Sequence, residues 1–302
     1  MMMKKNIRED QIELIASVVK DKVFSSQLTK KITIFLCGGD VLNEKYGRHK
    51  MAAIFSKYKR YEILYPEDLF DDLLAGQGQY SLLSLENMLA EAVDVIIIFP
   101  ESPGSYAELG AFSNNIELAK KLICIQDNRY KSKKSFINYG PIRLLKKNKT
   151  GKVLNLNYEH LSDPLESISL YQKIYKSIIS IKSKHPVTRS VENLLDSESF
   201  ILPCIYLMDG VNNVLLYSLL KKATGKNDIL CEIATKSALG RLTSKRMISR
   251  TTVGYHVTDM GFYFVRENFS HIELDKLRLE IMNLENRSSA SLSYAKLAKA
   301  HP

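Results

Sequence analysis

A glutamate that follows a strongly apolar stretch is the residue of this chain best suited to chemistry. The stretch VDVIIIF (93–99) is followed by the turn and helix segment ESPGSYAELG (101–110). A helix that opens at Ser105 would place Glu108 in its first turn, where the positive end of the helix dipole favours an ionised carboxylate. Such a carboxylate can attack a sugar C1′, or stabilise an oxocarbenium-like transition state while a base departs. Glu108 is therefore the predicted catalytic residue.

Two segments provide candidate substrate contacts. LCGGD (36–40) follows another apolar run, and its glycines would let the backbone approach a ligand while Asp40 holds a ribose hydroxyl. Tyr106 and Glu101 are placed to orient the sugar or the leaving base. The candidate substrate-binding residues are Gly38, Gly39, Asp40, Glu101, Ser102, Gly104, Ser105 and Tyr106.

Both segments also have purely structural interpretations. Ser105 and Glu108 fit the S-x-x-E capping box, in which the glutamate only accepts from a backbone donor. Gly38 and Gly39 fit a tight turn from strand to helix. Neither G-x-G-x-x-G nor G-x-x-x-x-G-K-[ST] occurs, which argues against a nicotinamide dehydrogenase and a P-loop nucleotide triphosphatase.

The elements that must position these residues alternate between strands and helices. The predicted strands are 32–37, 61–66, 93–99, 122–126 and 153–156. Predicted helices include 44–59, 67–75, 82–92, a helix that ends near 120, and 165–182, after a short leading helix near 12–19. This alternation predicts an α/β fold with a doubly wound parallel sheet, in which ligands bind beyond the carboxyl ends of the strands.

A second domain is predicted after a polar linker. The expected division is a catalytic domain over 1–182, a linker over 183–190 and a second domain over 191–302. Helices near 191–198, 204–222, 228–238 and 241–250, a hairpin within 252–258 and a helix capped by Thr258 match a winged helix-turn-helix. A helical protein-interaction domain would give the same pattern. The candidate nucleic-acid contacts, on the basic segment 236–250, are Lys236, Arg241, Lys245, Arg246 and Arg250.

Charge is strongly segregated along the 302 residues. The net charge is +10, but the stretch from Tyr61 to Ala119 holds eleven Asp and Glu and no Lys or Arg. The remainder therefore carries +21, which suits nucleic-acid phosphates, whereas an acidic domain suits a small substrate. Solvated helix faces of one sign are the alternative interpretation.

The sequence lacks recognisable signals for membrane insertion, export and metal binding. No apolar run is long enough for a bilayer and no export signal is recognisable, so a cytoplasmic protein is expected. Four scattered cysteines without C-x-x-C predict a reducing compartment, with neither disulfides nor a zinc site, and no cofactor is expected.

The segment GSYAELGAF (104–112) resembles the active-site helix of the nucleoside 2-deoxyribosyltransferase family. ITIFLCGGD (32–40) and SFINYGPIRLL (135–145) resemble the first strand and a later substrate-edge loop of that family. The resemblance implies that Glu108 is the nucleophile and that Asp94 or Glu101 is a second acidic substrate contact. Members of that family usually carry a tyrosine on the first strand, where this chain has Phe35.

Longer stretches resemble the effector proteins of retron antiphage systems of the Ec86/St85 type. They are DLFDDLLAGQGQYSLLSLENML (68–89), FPESPGSYAELGAFSNN (99–115), SFINYGP (135–141) and DKLRLEIMNLENR (275–287). This resemblance implies a toxin that cleaves a nucleotide N-glycosidic bond, with NAD as the leading substrate. It also implies partners that restrain the toxin in a higher-order assembly: a retron reverse transcriptase and its branched RNA–DNA (msDNA).

Three functions stay open on the sequence. The first is an N-glycosidase that uses Glu108. The second is a nucleic-acid-binding assembly protein with an inactive α/β domain, which the loss of the tyrosine at Phe35 favours. The third is a transferase of ribose or ADP-ribose to a macromolecule.

Overall fold

The chain folds into two compact units that are not two consecutive halves of the sequence. The computed structural model describes residues 9–24, 31–67, 82–208 and 210–283. One unit is Thr29–Thr188, and the other combines Met1–Leu28 with Arg189–Pro302. The predicted boundaries differ from this division at the start of the chain, where the leading helix belongs to the second unit.

The α/β unit is built on a five-stranded parallel sheet in the order β2-β1-β3-β4-β5. Its strands are β1 (Ile32–Cys37), β2 (Tyr61–Leu64), β3 (Val95–Ile98), β4 (Leu122–Asp127) and β5 (Lys152–Leu156). Every residue of β1, β3 and β4 is buried, as expected of continuous apolar runs in a sheet covered on both faces. The predicted parallel α/β sheet is thus confirmed.

Helices connect the strands and cover the sheet. They are α2 (Gly47–Ser56), α3 (Leu82–Ala92), α4 (Pro103–Asn114), α5 (Ile116–Lys121), α6 (Arg143–Asn148) and α7 (Pro164–Lys184). One face of the sheet presents Ile34 and Ile97 to Ile174 and Ile178 of α7. The predicted helix over 67–75 lies almost entirely outside the described residues.

The strand order places a crevice between β1 and β3. From the carboxyl end of β1 the chain continues to β2 on one side, and from the carboxyl end of β3 it continues to β4 on the other side. The two connections therefore run in opposite directions away from the space between β1 and β3. Ligands of open parallel sheets bind at such switch points. The turns after Cys37 and after Ile98 both reach this edge, which is where the sequence analysis expected the site.

The second unit is mainly helical. Its elements are α1 (Glu9–Val18), α8 (Glu198–Met208), α9 (Asn213–Thr224), α10 (Asp228–Ser244), β6 (Ile248–Arg250), β7 (Tyr255–Val257) and α11 (Asp259–Asn268), with a further helix over 271–283. Val19–Val23 continue α1 as a π-helix. Ile15 and Val19 are buried in one core with Phe200, Leu216 and Val265.

Several predicted boundaries in the second unit are wrong. A single helix, α10, replaces the predicted helices 228–238 and 241–250, and the chain then forms β6 instead of continuing as a helix. The antiparallel hairpin pairs β6 with β7, so it begins earlier than the predicted 252–258. Thr258 caps α11 as predicted, since its Oγ1 accepts from the Gly261 N–H at 3.1 Å.

Candidate active site

The turn after β3 is held by two serines. Ser102 is the N-cap of α4, and its Oγ accepts from the Ser105 N–H at 3.2 Å. The buried Ser105 Oγ accepts in return from the N–H groups of Ser102 at 2.9 Å and Glu101 at 3.0 Å. Both candidate substrate contacts therefore have structural roles in this turn.

This geometry corrects two predictions about Glu108. The helix begins at Pro103 rather than Ser105, so Glu108 lies in its second turn. The capping box pairs Ser102 with Ser105, because Pro103 fixes the first helical position. Glu108 therefore does not take part in the capping box, contrary to the alternative interpretation.

Glu101 joins the two turns of the crevice. Its Oε1 accepts from the N–H groups of Gly39 at 3.1 Å and Arg48 at 3.0 Å, and its Oε2 accepts from Gly47 at 2.7 Å. Burial raises the pKa of this carboxyl, although the three backbone donors oppose the shift. Glu101 thus occupies backbone donors at the start of α2 to which an anionic ligand would otherwise bind.

The two glycines after β1 are required for close packing. A Cβ on Gly38 would lie 2.7 Å from Arg48 Cβ, and one on Gly39 would lie 2.5 Å from the Tyr46 ring. The space beside both glycines is therefore filled by protein, in agreement with the tight-turn interpretation. Asp40 is exposed, and its Oδ1 accepts from the Leu42 N–H at 2.9 Å.

A buried arginine lies behind the same turn. Arg48 is 1% exposed and donates to both carboxylate oxygens of Glu67, at 2.7 and 2.6 Å. Its Nη1 also donates to the Gly39 carbonyl at 2.9 Å. The sequence analysis missed Arg48, because a single basic residue within the predicted helix 44–59 has no signal that distinguishes it from a solvated residue.

The centre of the candidate site is a pair of glutamates. Glu108 shares a side-chain hydrogen bond with Glu86 of α3. Burial, together with the negative charge of Glu86, raises the pKa of Glu108 to about 8, and burial raises the pKa of Glu86 as well. Two carboxyl groups can share a hydrogen bond only when one of them carries the proton. The pair therefore presents one carboxylate and one carboxylic acid.

Glu86 is the main functional residue that sequence reasoning missed. It was hidden in the acidic stretch as one of eleven acids. A usable signal was its position within LLSLENMLAEA, an otherwise mostly apolar helix without a basic partner. The Oε2 of Glu108 is buried and has no hydrogen-bond partner among the described residues, which leaves an acceptor available to a ligand.

Phe35 lies in an apolar part of the unit. It is fully buried and packs against Phe112 of α4, with ring centroids 6.3 Å apart. A phenylalanine supplies no hydroxyl there. The carboxyl that does share a hydrogen bond with Glu108 belongs to Glu86.

The remaining predicted contacts divide between the two edges of the sheet. Tyr106 is partly exposed on α4, and Gly104 has open space where a side chain would lie. Asp94 precedes β3 and so lies at the opposite, amino edge. Its Oδ2 accepts from the N–H and the Oγ1 of Thr33, at 2.9 and 3.0 Å. The structure does not bring Asp94 together with Glu108.

The candidate nucleic-acid contacts differ in their exposure and in their ion pairs. Arg241 is only 10% exposed, pairs with Glu198 at 3.2 Å and donates to the Leu195 carbonyl at 3.1 Å. Lys245 pairs with the same Glu198, and Lys236 pairs with Glu232. Arg246 and Arg250 are exposed around the hairpin. Arg241 therefore serves an internal ion pair, and the two arginines lie on the surface.

Comparisons with known proteins all match this chain to retron proteins. Residues 44–250 match the family model described as STM3845 retron effector protein. The chain is 50% identical over 308 aligned residues to a retron Ec86 protein of Escherichia coli, with full coverage of both chains. It is 29% identical over 270 residues to a retron Ec73 protein of Escherichia coli, which covers 82% of this chain and 83% of that protein. Both relatives are named as candidate ribosyltransferases and DNA-binding proteins.

Proposed function

Because this chain belongs to the STM3845 retron effector protein family, we propose that its α/β unit cleaves the N-glycosidic bond of a nucleotide. The observation that carries the proposal is the hydrogen-bonded pair of Glu86 and Glu108 beside the crevice of the sheet. One carboxylate and one carboxylic acid are the two groups that glycosidic cleavage uses.

The pair provides both halves of the reaction. The raised pKa places the shared proton on Glu108, and transfer of that proton to Glu86 leaves the Glu108 carboxylate able to react. This carboxylate attacks C1′ as the bond to the base breaks, and the bonding electrons leave with the base. Where the base leaves as an anion, the Glu86 carboxylic acid donates the proton that neutralises it. A water molecule, deprotonated by Glu86, then attacks C1′ of the glycosyl ester and releases Glu108.

The electrostatics of the pair favour NAD as substrate. A raised pKa keeps a proton on the pair at neutral pH, and a cation bound beside it would favour the ionised form. The nicotinamide ring of NAD carries such a positive charge, and it becomes neutral when it leaves. A cationic base therefore activates the nucleophile, because it favours loss of the pair's proton to solvent. The base needs no proton when it leaves, so Glu86 stays ionised and can deprotonate the attacking water.

The second unit is proposed to bind nucleic acid. Helices α9 and α10, followed by the β6–β7 hairpin, have the element order of a winged helix-turn-helix. Arg246 and Arg250 lie exposed around that hairpin and suit phosphate contacts. We further propose that a retron reverse transcriptase and its branched RNA–DNA hold the effector inactive in a cytoplasmic, higher-order assembly. Among the helices within the described ranges, none is both long and apolar enough to cross a bilayer.

The decisive experiment is base release from a panel of nucleotides by the purified protein, alone and with its retron partners. NAD should yield nicotinamide, and Glu108→Gln should abolish that release. Glu86→Gln should lower kcat roughly 10²–10⁴-fold for bases that need a proton, and less for nicotinamide. Glu91→Gln, an exposed acid on the same helix, is the matched control and should retain activity. Unchanged turnover in Glu108→Gln would refute the mechanism.

The second candidate function is an inactive α/β unit in a nucleic-acid-binding assembly protein. Phe35 favours it, because the ring supplies no hydroxyl to orient Glu108. This alternative predicts that Glu108→Gln leaves toxicity intact. A transferase that acts on a macromolecule is separated from a hydrolase by mass spectrometry of the products.

A further inference from the structure

One segment of the α/β unit carries a concentration of positive charge that glycosidic cleavage does not use. Residues 128–149 contain eight Lys and Arg and no Asp or Glu. All eight side chains are exposed: Arg129, Lys131, Lys133, Lys134, Arg143, Lys146, Lys147 and Lys149. A substrate with two phosphates would need only a few of them, so this density of charge fits a polyanion.

The first part of this segment, residues 128–140, also exposes aromatic rings, and we call it the basic aromatic loop. Phe136 is 83% exposed, Tyr139 58% and Tyr130 44%. Phe136 and Tyr139 are separated by one helical turn, and the Phe136 ring lies over Gly140, 3.6 Å from where a Cβ would be. Lys133 Nζ lies 4.7 Å from the centre of the Tyr130 ring. Cations and open ring faces therefore alternate along the loop.

The loop is held in shape by hydrogen bonds to the side-chain amide of Asn138. Gln126, buried at the end of β4, donates to Asn138 Oδ1 at 2.6 Å. Asn138 Nδ2 donates in turn to the carbonyls of Tyr130 at 2.8 Å and Lys133 at 2.6 Å. One amide thus ties the two ends of the loop together, so its exposed rings lose little conformational freedom when a ligand binds.

We propose that the basic aromatic loop is a binding site for single-stranded nucleic acid, separate from the surface of the second unit. The lysines would contact phosphates, whereas Arg129 is already paired with Asp127 at 2.6 Å. Unpaired bases would stack on Phe136 and Tyr139, and this combination is typical of sequence-independent single-strand binding. Paired bases in a duplex present no open faces to these rings, so a duplex would bind only through contacts between its phosphates and the basic side chains. The site does not depend on the chemistry at Glu108.

The test is binding of labelled oligothymidylate, oligouridylate and a duplex, each about 20 nucleotides long, to the full chain by fluorescence anisotropy over a salt series. The double variant Phe136→Ala/Tyr139→Ala should weaken single-strand binding about tenfold or more, because stacking of each base contributes substantially. Duplex binding should stay unchanged. Phe136→Tyr keeps the ring and should retain the affinity, and Glu108→Gln should bind as the parent protein does.

A charge variant separates phosphate contacts from stacking. Lys131→Gln/Lys133→Gln/Lys134→Gln should lower the slope of log K against log salt by about 2, since each phosphate contact contributes roughly 0.7 for single strands. Lys57→Gln/Lys59→Gln/Lys176→Gln removes the same charge from exposed positions elsewhere on the unit and should leave the slope unchanged.

Photocrosslinking identifies the site even if the second unit dominates the affinity. An oligonucleotide that contains 5-bromodeoxyuridine should form adducts within residues 128–140. Adducts confined to residues 228–257 would overturn the proposal. An affinity for single strands that neither the aromatic nor the charge variant lowers would overturn it too.

Discussion

At the residue scale, the decisive question is which carboxyl of the glutamate pair holds the proton. Burial and the neighbouring acid both disfavour a second negative charge, and this raises the pKa of Glu108 to about 8. Below that pH the pair retains a proton, so the fraction of Glu108 that is ionised rises with pH. A nucleophile of this kind is mostly protonated at neutral pH and becomes ionised as the pH rises or a cationic substrate binds.

The pH dependence of activity follows from this shift. With a substrate whose base needs no proton, kcat/KM should rise with pH along a limb with its midpoint near 8. Glu86→Gln removes a negative charge that raises the pKa of Glu108, so the rising limb should move to lower pH. Steady-state rates of nicotinamide release, measured from acid to mildly alkaline pH, give the midpoint of the limb in the parent protein and its shift in the variant. A limb that stays in place in Glu86→Gln would argue against the pairing.

The sequence was informative about Glu108 and misleading about its neighbours. The S-Y-A-E-L-G segment indicated Glu108, the proposed nucleophile, because a motif is local in the chain. Its partner Glu86 lies on another element, and contacts between distant segments leave no comparable pattern. Glu101 and Ser105 were correctly located at the site, but their side chains bond to the backbone instead of facing open space.

At the element scale, the start of α4 depends on a small set of serine hydrogen bonds. Ser105 was predicted as the helix start and is in fact the third residue of the helix, because Pro103 and the Ser102 cap begin it earlier. Strand positions were predicted well, since long apolar runs are conspicuous. Helix ends were predicted less well, because caps depend on single side chains.

Replacing the buried Ser105 should weaken this element. Ser105→Ala leaves the N–H groups of Glu101 and Ser102 without their acceptor, which should cost about 1–3 kcal/mol of stability. The free energy of unfolding in denaturant measures the loss. Ser56→Ala, an exposed serine of α2, is the control and should change it little. Equal effects from the two would show that the Ser105 bonds contribute nothing.

The amino edge of the sheet provides a second test at this scale. Asp94→Ala leaves the Thr33 N–H unpaired in the interior, which should destabilise the unit by about 1–3 kcal/mol. Activity of the folded protein should not change, because four residues of β3 separate Asp94 from the carboxyl edge by about 13 Å. A raised KM for NAD would restore Asp94 as a substrate contact.

At the scale of the whole molecule, the chain order and the folding units do not coincide. The leading helix was assigned to the catalytic domain because it precedes the first strand. Its apolar face instead completes the core of the second unit, where Ile15 is 2% exposed. Sequence periodicity identifies that such a face is buried, but it carries no information on which core receives it.

Truncating that face should destabilise the second unit and leave the α/β unit folded. Ile15→Ala should destabilise the second unit by about 2–5 kcal/mol while base release by the α/β unit persists. Limited proteolysis, with the fragments identified by mass, can follow each unit separately. Leu14→Ala, a partly exposed position on the same helix, is the control. Early cleavage within residues 31–188 of Ile15→Ala would contradict the observed division.

The discontinuous second unit imposes an order on synthesis. A ribosome completes the α/β unit at residue 188, whereas α1 must wait for the residues from Arg189 through Ile281 before its core can close. At about 5–20 residues per second, that interval is on the order of ten seconds. During each round of translation the proposed reaction centre would therefore be assembled before the second unit exists. Under the proposed function, restraint that requires the second unit can begin only after that unit has been synthesised.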